Sequence, residues 1–241
     1  FVRPESARNE VASFVRSGLK DLSISRSTFD WGIKVPWDPS HVIYVWVDAL
    51  LNYATAVGYG SDPEQFARRW PAYHVVGKDI LRFHAVIWPA MLMAAGVEVP
   101  RGVFAHGWLL VGGEKMSKSK LTGIAPTEIT DVFGSDAYRF YFLSAIAIGQ
   151  DGSFSWEDLS ARYQAELANG FGNLASRTVA MIGRYFEGIV PPPAQYTDAD
   201  LAIQRVVAEA AANADAAIER FRIDEANAAI WTIVDELNGY I

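Results

Sequence analysis

Three apolar runs rich in β-branched and aromatic residues alternate with helical patterns through the first half of the chain. The runs cover residues 41–47, 72–76 and 101–111, and helical segments at 48–57 and 80–95 separate them. This order predicts strand, helix, strand, helix, strand, which is one half of a doubly wound α/β sheet. Open sheets of this kind bind ligands at the carboxyl ends of their strands, so we expect a binding site where these runs end.

A cationic loop follows the third run. Residues 112–120 contain two glycines, three lysines and two serines. Lysine ammonium groups attract phosphate oxygens, serine hydroxyls donate hydrogen bonds to them, and glycines allow the backbone to hinge. The loop therefore suits a polyphosphate. The same composition is also typical of a solvated basic hairpin tip, and composition alone does not separate the two interpretations.

The charge and composition of the chain argue against several classes of function. A formal net charge of -7 disfavours a general nucleic-acid binder, so any RNA contact must be local. The chain has no cysteine and its 4 histidines are scattered, so we expect no structural metal. The apolar runs are too short to span a membrane and no signal peptide is visible, so we expect a cytoplasmic address. A start at Phe1 is typical of a fragment or a processed product.

The second half of the chain has a helical pattern. A long helix is predicted to begin near Ser155, where a capping-box pattern precedes an extended apolar stripe, and a proline-rich linker follows at 190–193. Further helices are predicted at 127–133, 136–146, 198–221 and 224–239. These segments predict an α-helical bundle.

One string in the cationic loop resembles a known signature. The residues 115–119, Lys-Met-Ser-Lys-Ser, resemble the second signature of the class I aminoacyl-tRNA synthetases. Four more stretches resemble the methionyl-tRNA synthetases in particular, in the order and close to the spacing of that family: residues 44–49, 77–84, 105–107 and 173–177. The resemblance extends over essentially the whole chain. It implies half of a doubly wound (Rossmann-type) nucleotide-binding domain followed by an α-helical anticodon-binding bundle.

The resemblance also implies how the chain is divided. Residues 1–40 correspond to the end of a connective insertion, 41–113 to the second half of the nucleotide-binding domain, 114–152 to the signature loop with its supporting segment, and 153–241 to a truncated anticodon-binding domain. The first signature of the family, of the His-Ile-Gly-His type, does not occur in the sequence. We therefore expect the upstream half of the same protein to complete the site and this chain alone to be inactive.

Roles for individual residues follow from the resemblance. Lys115 and Lys118 are implied as catalytic, holding pyrophosphate while the methionine carboxylate attacks the α-phosphate of ATP, with Mg²⁺ sharing the charge. The implied ATP-binding residues are Gly77, Asp79, His106, Gly107, Lys115, Met116, Ser117, Lys118 and Ser119. The implied methionine-binding residues are Trp46, Ala49, Tyr53, Ile80, His84 and Trp88. Asn173 and Arg177 are implied to read the anticodon of tRNA(Met).

Each of these groups has a plainer interpretation. The aromatic stripe on the first helix is typical of ordinary core packing, and a lone histidine such as His84 on an apolar helix face is usually a hydrogen-bonded core residue. The pair Asn173 and Arg177 is otherwise typical of a solvated helix face. At the level of function, the alternatives are a leucyl, isoleucyl, valyl or cysteinyl enzyme of the same class, or a noncatalytic fragment that binds tRNA or protein.

Overall fold

The computed structural model describes residues 1–116 and 123–241. The chain forms two compact units, Phe1–His106 and Gly107–Ile241. Three residues of the signature, Ser117, Lys118 and Ser119, lie outside the described residues. In the described part of the chain, every helix is too short or too polar to cross a membrane.

The first unit contains a parallel sheet and the helices that cover it. Its elements are β1 (Val2–Arg3), α1 (Glu5–Arg16), β2 (Ser25–Arg26), β3 (Lys34–Val35), β4 (Asp38–Ile43), α2 (Val45–Thr55), α3 (Pro63–Arg69), β5 (Tyr73–Gly77), α4 (Trp88–Ala94) and β6 (Gly102–His106). A 3₁₀ turn at Lys78–Ile80 and a π-helical segment at Phe83–Ile87 join β5 to α4. The predicted helix at 80–95 is confirmed, with a π-helical segment within it and Pro89 near the start of α4.

The central strand of the parallel sheet is β6. It pairs in parallel with β1 on one side and with β5 on the other. Residues 102–105 of this strand are all buried, because both faces of a parallel sheet are covered. The α/β class predicted from the sequence is confirmed. The strand β1 lies inside the segment 1–40, so this sheet includes a strand from outside the predicted half-domain.

The predicted strand at 41–47 is confirmed over residues 41–43 and wrong beyond them. The strand β4 ends at Ile43, and α2 begins at Val45. A short apolar run does not distinguish a strand from a buried helix, and here the helix places Leu50 and Ala54 together on one buried face. The strand β4 pairs antiparallel with β2 and β3 in a separate small sheet, so it adds nothing to the parallel one.

The second unit begins with a small sheet and continues as helices. Its elements are β7 (Leu109–Val111), β8 (Glu114–Lys115), α5 (Pro126–Phe133), α6 (Ser135–Ala145), β9 (Gly152–Phe154), α7 (Trp156–Arg162), α8 (Asn173–Phe186), α9 (Asp198–Glu219) and α10 (Ile223–Tyr240). A π-helical segment at Tyr163–Gly172 joins α7 to α8. The predicted long helix beyond Ser155, the two helices before it and the two after it are confirmed.

The prediction of one strand over 101–111 is also wrong. The strand β6 ends at His106 in the parallel sheet, whereas β7 pairs with β8 and β9 in the sheet of the second unit. Gly107 follows β6 directly and packs closely against the backbone of Gln150, since a side-chain Cβ there would lie 2.0 Å from the Gln150 carbonyl oxygen. The backbone N–H of Trp108 donates to Asp151 Oδ1 at 2.8 Å, and its carbonyl accepts from the Gly152 N–H at 2.9 Å, so Trp108 is bonded to β9 and the residue before it.

Two buried histidines form part of the core of the first unit. His74 on β5 is 5% exposed and His84 is 1% exposed. Burial, which disfavours the charged imidazolium, lowers the pKa of His74 to about 4 together with a smaller effect of the nearby His84. Burial also lowers the pKa of His84, against a smaller opposing effect from its hydrogen bond to the Ile80 carbonyl. Both imidazoles are therefore neutral near pH 7.

We predict that acid destabilises this core through His74. In the unfolded chain His74 gains a proton as the pH falls through about 6.5, while the folded pKa stays near 4. The stability is thus complete above about pH 6.5 and is lost as the pH falls toward 4. At pH 5 the loss from this residue is about 2 kcal/mol. Urea unfolding of the full-length protein at pH 7.5 and pH 5 measures it, and His74→Gln, which does not titrate, should lose less. An equal loss in both proteins contradicts the prediction.

Candidate functional site

A cluster of aromatic rings joins α2 to the helical segment that follows β5. The Tyr53 hydroxyl lies 2.9 Å from His84 Nε2. The rings of Trp46 and His84 are nearly perpendicular, with their centroids 6.1 Å apart, and the centroids of Tyr53 and Trp88 are 6.5 Å apart. The structure therefore brings together four of the six residues predicted to bind methionine.

The hydrogen bonds of His84 determine its tautomer. Its Nδ1 lies 2.9 Å from the Ile80 carbonyl oxygen, which only accepts, so the proton is on Nδ1. The lone pair of Nε2 then accepts the hydrogen bond from the Tyr53 hydroxyl. Both polar groups are satisfied within the protein. The cluster is thus aromatic and uncharged.

The other two predicted methionine-binding residues are placed differently. Ala49 is exposed on α2. The side chain of Ile80 packs against a second cluster, which includes Val76 and Leu81, while its carbonyl oxygen holds His84. Their roles in binding stay predictions, as do those of the four clustered residues.

Sequence reasoning missed two members of the aromatic cluster. Phe83 stacks on Trp46 with the ring centroids 4.0 Å apart and the planes 11° from parallel. His74 accepts a hydrogen bond at 3.2 Å from the indole N–H of Trp88. A signal for His74 was present, because along β5 it occupies an inward position of the alternating pattern, between the exposed Tyr73 and Val75.

A group of polar residues lies at the carboxyl ends of β5 and β6. Gly77 is the register partner of His106, so the two strands end side by side. A Cβ at residue 77 would lie 2.6 Å from Asp79 Oδ1, so only glycine allows the carboxylate to approach the backbone this closely. Strand ends of an open parallel sheet are where ligands bind, and three of the predicted ATP-binding residues meet there. The nucleotide itself stays a prediction.

The first part of the signature lies on a hairpin in the second unit. The strands β7 and β8 pair antiparallel, and Gly112 and Gly113, with φ angles of 60° and 81°, form the turn between them. The Lys115 ammonium lies 4.5 Å from the centroid of the Trp108 ring, in a cation–π contact. The Met116 N–H donates to the Leu109 carbonyl at 2.9 Å. Residues 112–116 therefore form a hairpin tip with an exposed lysine.

The predicted anticodon-reading residues lie on one ridge of the long helix. Asn173 is the first residue of α8, and Arg177 follows one turn later. Both side chains are exposed. Their role in binding tRNA stays a prediction.

Comparison with known proteins places the chain in a family. The family model described as tRNA synthetases class I (M) matches residues 2–179. A curated methionine–tRNA ligase of Streptomyces coelicolor is 63% identical over 243 residues, which cover 100% of this chain and 45% of that relative. A second, from Caldanaerobacter subterraneus subsp. tengcongensis, is 49% identical and is covered over 38% of its length.

A solved structure has the same fold over the whole chain. The methionyl-tRNA synthetase of Mycobacterium tuberculosis bound by methionyl-adenylate matches with a TM-score of 0.94 and 45% identity, covering 100% of this chain and 48% of that one. The chain thus spans less than half the length of these relatives. The extent of the family match, together with the identity to these relatives, shows that the chain belongs to the class I tRNA synthetases, in their methionyl branch.

Proposed function

We propose that the full-length protein containing this chain is a methionine–tRNA ligase. It activates methionine with ATP to methionyl-adenylate and then transfers methionine to tRNA(Met). The observation that carries the proposal is the uncharged aromatic cluster of Trp46, Tyr53, His84 and Trp88, found in a chain of this family. The chain covers 45% of its Streptomyces relative, so the activity is assigned to the whole protein.

The aromatic cluster suits the side chain of methionine. A polarizable thioether gains about 0.3 to 1.5 kcal/mol from each contact with an aromatic ring. The hydroxyl of Tyr53 donates to His84 Nε2 and the Ile80 carbonyl accepts from Nδ1, so neither residue needs a hydrogen bond from the apolar side chain of methionine. Their neutrality also matters, because a buried charge facing an apolar side chain would cost binding free energy.

The chemistry of activation needs no covalently modified side chain. A carboxylate oxygen of methionine forms a bond to the α-phosphorus of ATP, and the bond from that phosphorus to the bridging oxygen breaks. Pyrophosphate leaves with the electron pair. ATP enters as its magnesium complex, and Lys115 and Lys118 stabilise the negative charge that accumulates on the leaving group. The terminal hydroxyl of the tRNA then attacks the carbonyl carbon of the adenylate, and AMP leaves.

The remaining candidate residues position the substrates. Gly77, Asp79 and His106 would hold the adenosine side of ATP at the strand ends of the first unit, with Asp79 on the ribose or on the amino group of methionine. The other predicted ATP-binding residues, 107 and 115–119, belong to the second unit. The positive groups of 115–119 suit the phosphates.

Methionine-dependent exchange of pyrophosphate into ATP tests the proposal directly. The full-length protein should catalyse methionine-dependent exchange of labelled pyrophosphate into ATP. Leucine, isoleucine, valine and cysteine serve as competing substrates, because the enzymes for these amino acids are the closest alternatives in the class. Better exchange with any of them would refute the substrate assignment. An absence of exchange with every amino acid would favour the noncatalytic alternative.

We predict that Lys118→Ala slows adenylate formation more than it weakens ATP binding. A group facing charge that develops on pyrophosphate acts mainly in the transition state, and removing one such preorganised donor costs roughly 2.7 to 4 kcal/mol. Single-turnover adenylation and equilibrium ATP binding separate the two effects. Lys20→Ala, which removes an exposed lysine outside the loop, is the control. Equal losses in the adenylation rate and in ATP affinity would mean that the loop only binds ATP and does not stabilise the transition state.

We predict that Arg177→Ala raises the KM for tRNA and leaves pyrophosphate exchange nearly unchanged. Arg177 is exposed on α8, in the helical second unit, whereas the aromatic cluster belongs to the first. Steady-state aminoacylation and exchange are measured on the same preparation. Arg205→Ala removes the same charge from α9 and serves as the matched control. If exchange falls as far as aminoacylation does, Arg177 supports catalysis or folding and does not read the anticodon.

A further inference from the structure

His74 is a member of the aromatic cluster that is contributed by the parallel sheet. It is 5% exposed, on the inward face of β5. Its ring centroid lies 4.5 Å from that of Tyr53, in an edge-on contact, and 5.9 Å from that of His84. Its hydrogen bond and ring contacts are made to Trp88, Tyr53 and His84, so an effect of His74 on methionine binding would pass through these neighbours.

The direction of the hydrogen bond between Trp88 and His74 fixes the tautomer of His74. Trp88 is 0% exposed, so its indole N–H needs a partner inside the protein. His74 Nε2 supplies the acceptor at 3.2 Å, which places the imidazole proton on Nδ1. A protonated imidazole would turn both nitrogens into donors, and an N–H would then face another N–H. The contact therefore exists only with the neutral ring.

We infer that His74 is a positioning residue for methionine binding, an inference that rests on the proposed function. It holds Trp88 by the hydrogen bond to the indole N–H and Tyr53 by the edge-on ring contact. Tyr53 in turn is held at its other end by His84. The rings of Tyr53 and Trp88 are thus both oriented by a residue of β5, whose backbone is fixed by its pairing with β6.

Two substitutions at residue 74 separate this role from simple packing. Gln carries an oxygen at the ε position, where it can accept the indole hydrogen bond in place of Nε2. Phe keeps an aromatic ring of similar shape and has no acceptor, which leaves the Trp88 N–H buried and unpaired. His74→Met provides a more adaptable apolar side chain if the Phe variant does not fold. All variants are made in the full-length protein.

The readout is the KM for methionine against the KM for ATP in pyrophosphate exchange. We expect His74→Phe, or His74→Met, to raise the methionine KM roughly ten-fold or more and to leave the ATP KM within about two-fold. His74→Gln should stay within about three-fold of the wild type for both substrates. Val103→Ala is the control for general destabilisation, because Val103 is the buried register partner of His74 and packs in the other core cluster.

Three results would overturn the inference. These are equal effects of the Gln and Phe variants, parallel changes in the two KM values, and a methionine-specific defect in Val103→Ala. The ¹H–¹⁵N correlation spectrum of ¹⁵N-tryptophan-labelled protein provides an independent measurement. The resonance of the Trp88 indole N–H should move strongly in the Phe variant and little in the Gln variant. If the wild type shows no methionine-dependent exchange, the proposed function fails. The Trp88 resonance then still decides whether His74 holds the indole, and an unmoved resonance in the Phe variant excludes it.

Discussion

The parallel pairing of β5 with β6 determines where the candidate residues of the first unit lie. It aligns His74 with Val103 and Gly77 with His106, so one strand pair presents a buried imidazole in its middle and polar groups at its end. Strands in a parallel ladder end at the same edge, which explains why Gly77 and His106 meet although 29 residues separate them in the sequence. A shift of one residue in this register would reverse which side chains face inward.

The aromatic cluster depends on both imidazoles being neutral. Burial lowers the pKa of His74 and of His84, so neither is charged near pH 7. Neutral rings have one acceptor nitrogen each, and both acceptors are used, one for the Trp88 indole and one for the Tyr53 hydroxyl. The proton that would break these hydrogen bonds is thus also the one that destabilises the fold.

Much of this molecule was predictable from local pattern. The long helix beyond Ser155, its two predecessors and the two helices after the proline-rich linker follow from periodicity and capping. The strand-end position of Gly77 and Asp79 follows from a β-branched run that stops at a glycine. The aromatic residues Trp46 and Tyr53 were recognised by their resemblance to a family, since periodicity alone also fits core packing.

The sequence by itself determined the helical half, the α/β class and the family to which the chain belongs. The tertiary structure decided which apolar segments pair. It assigned the run after Ile43 to a helix, because a helix buries Leu50 and Ala54 on one face. It also divided the third run near Gly107, because β6 pairs with β5 and β1 whereas β7 pairs with β8 and β9 in a different sheet. The hydrogen bond from Trp88 to His74 joins residues 14 apart in the chain, and only packing brings such side chains into contact.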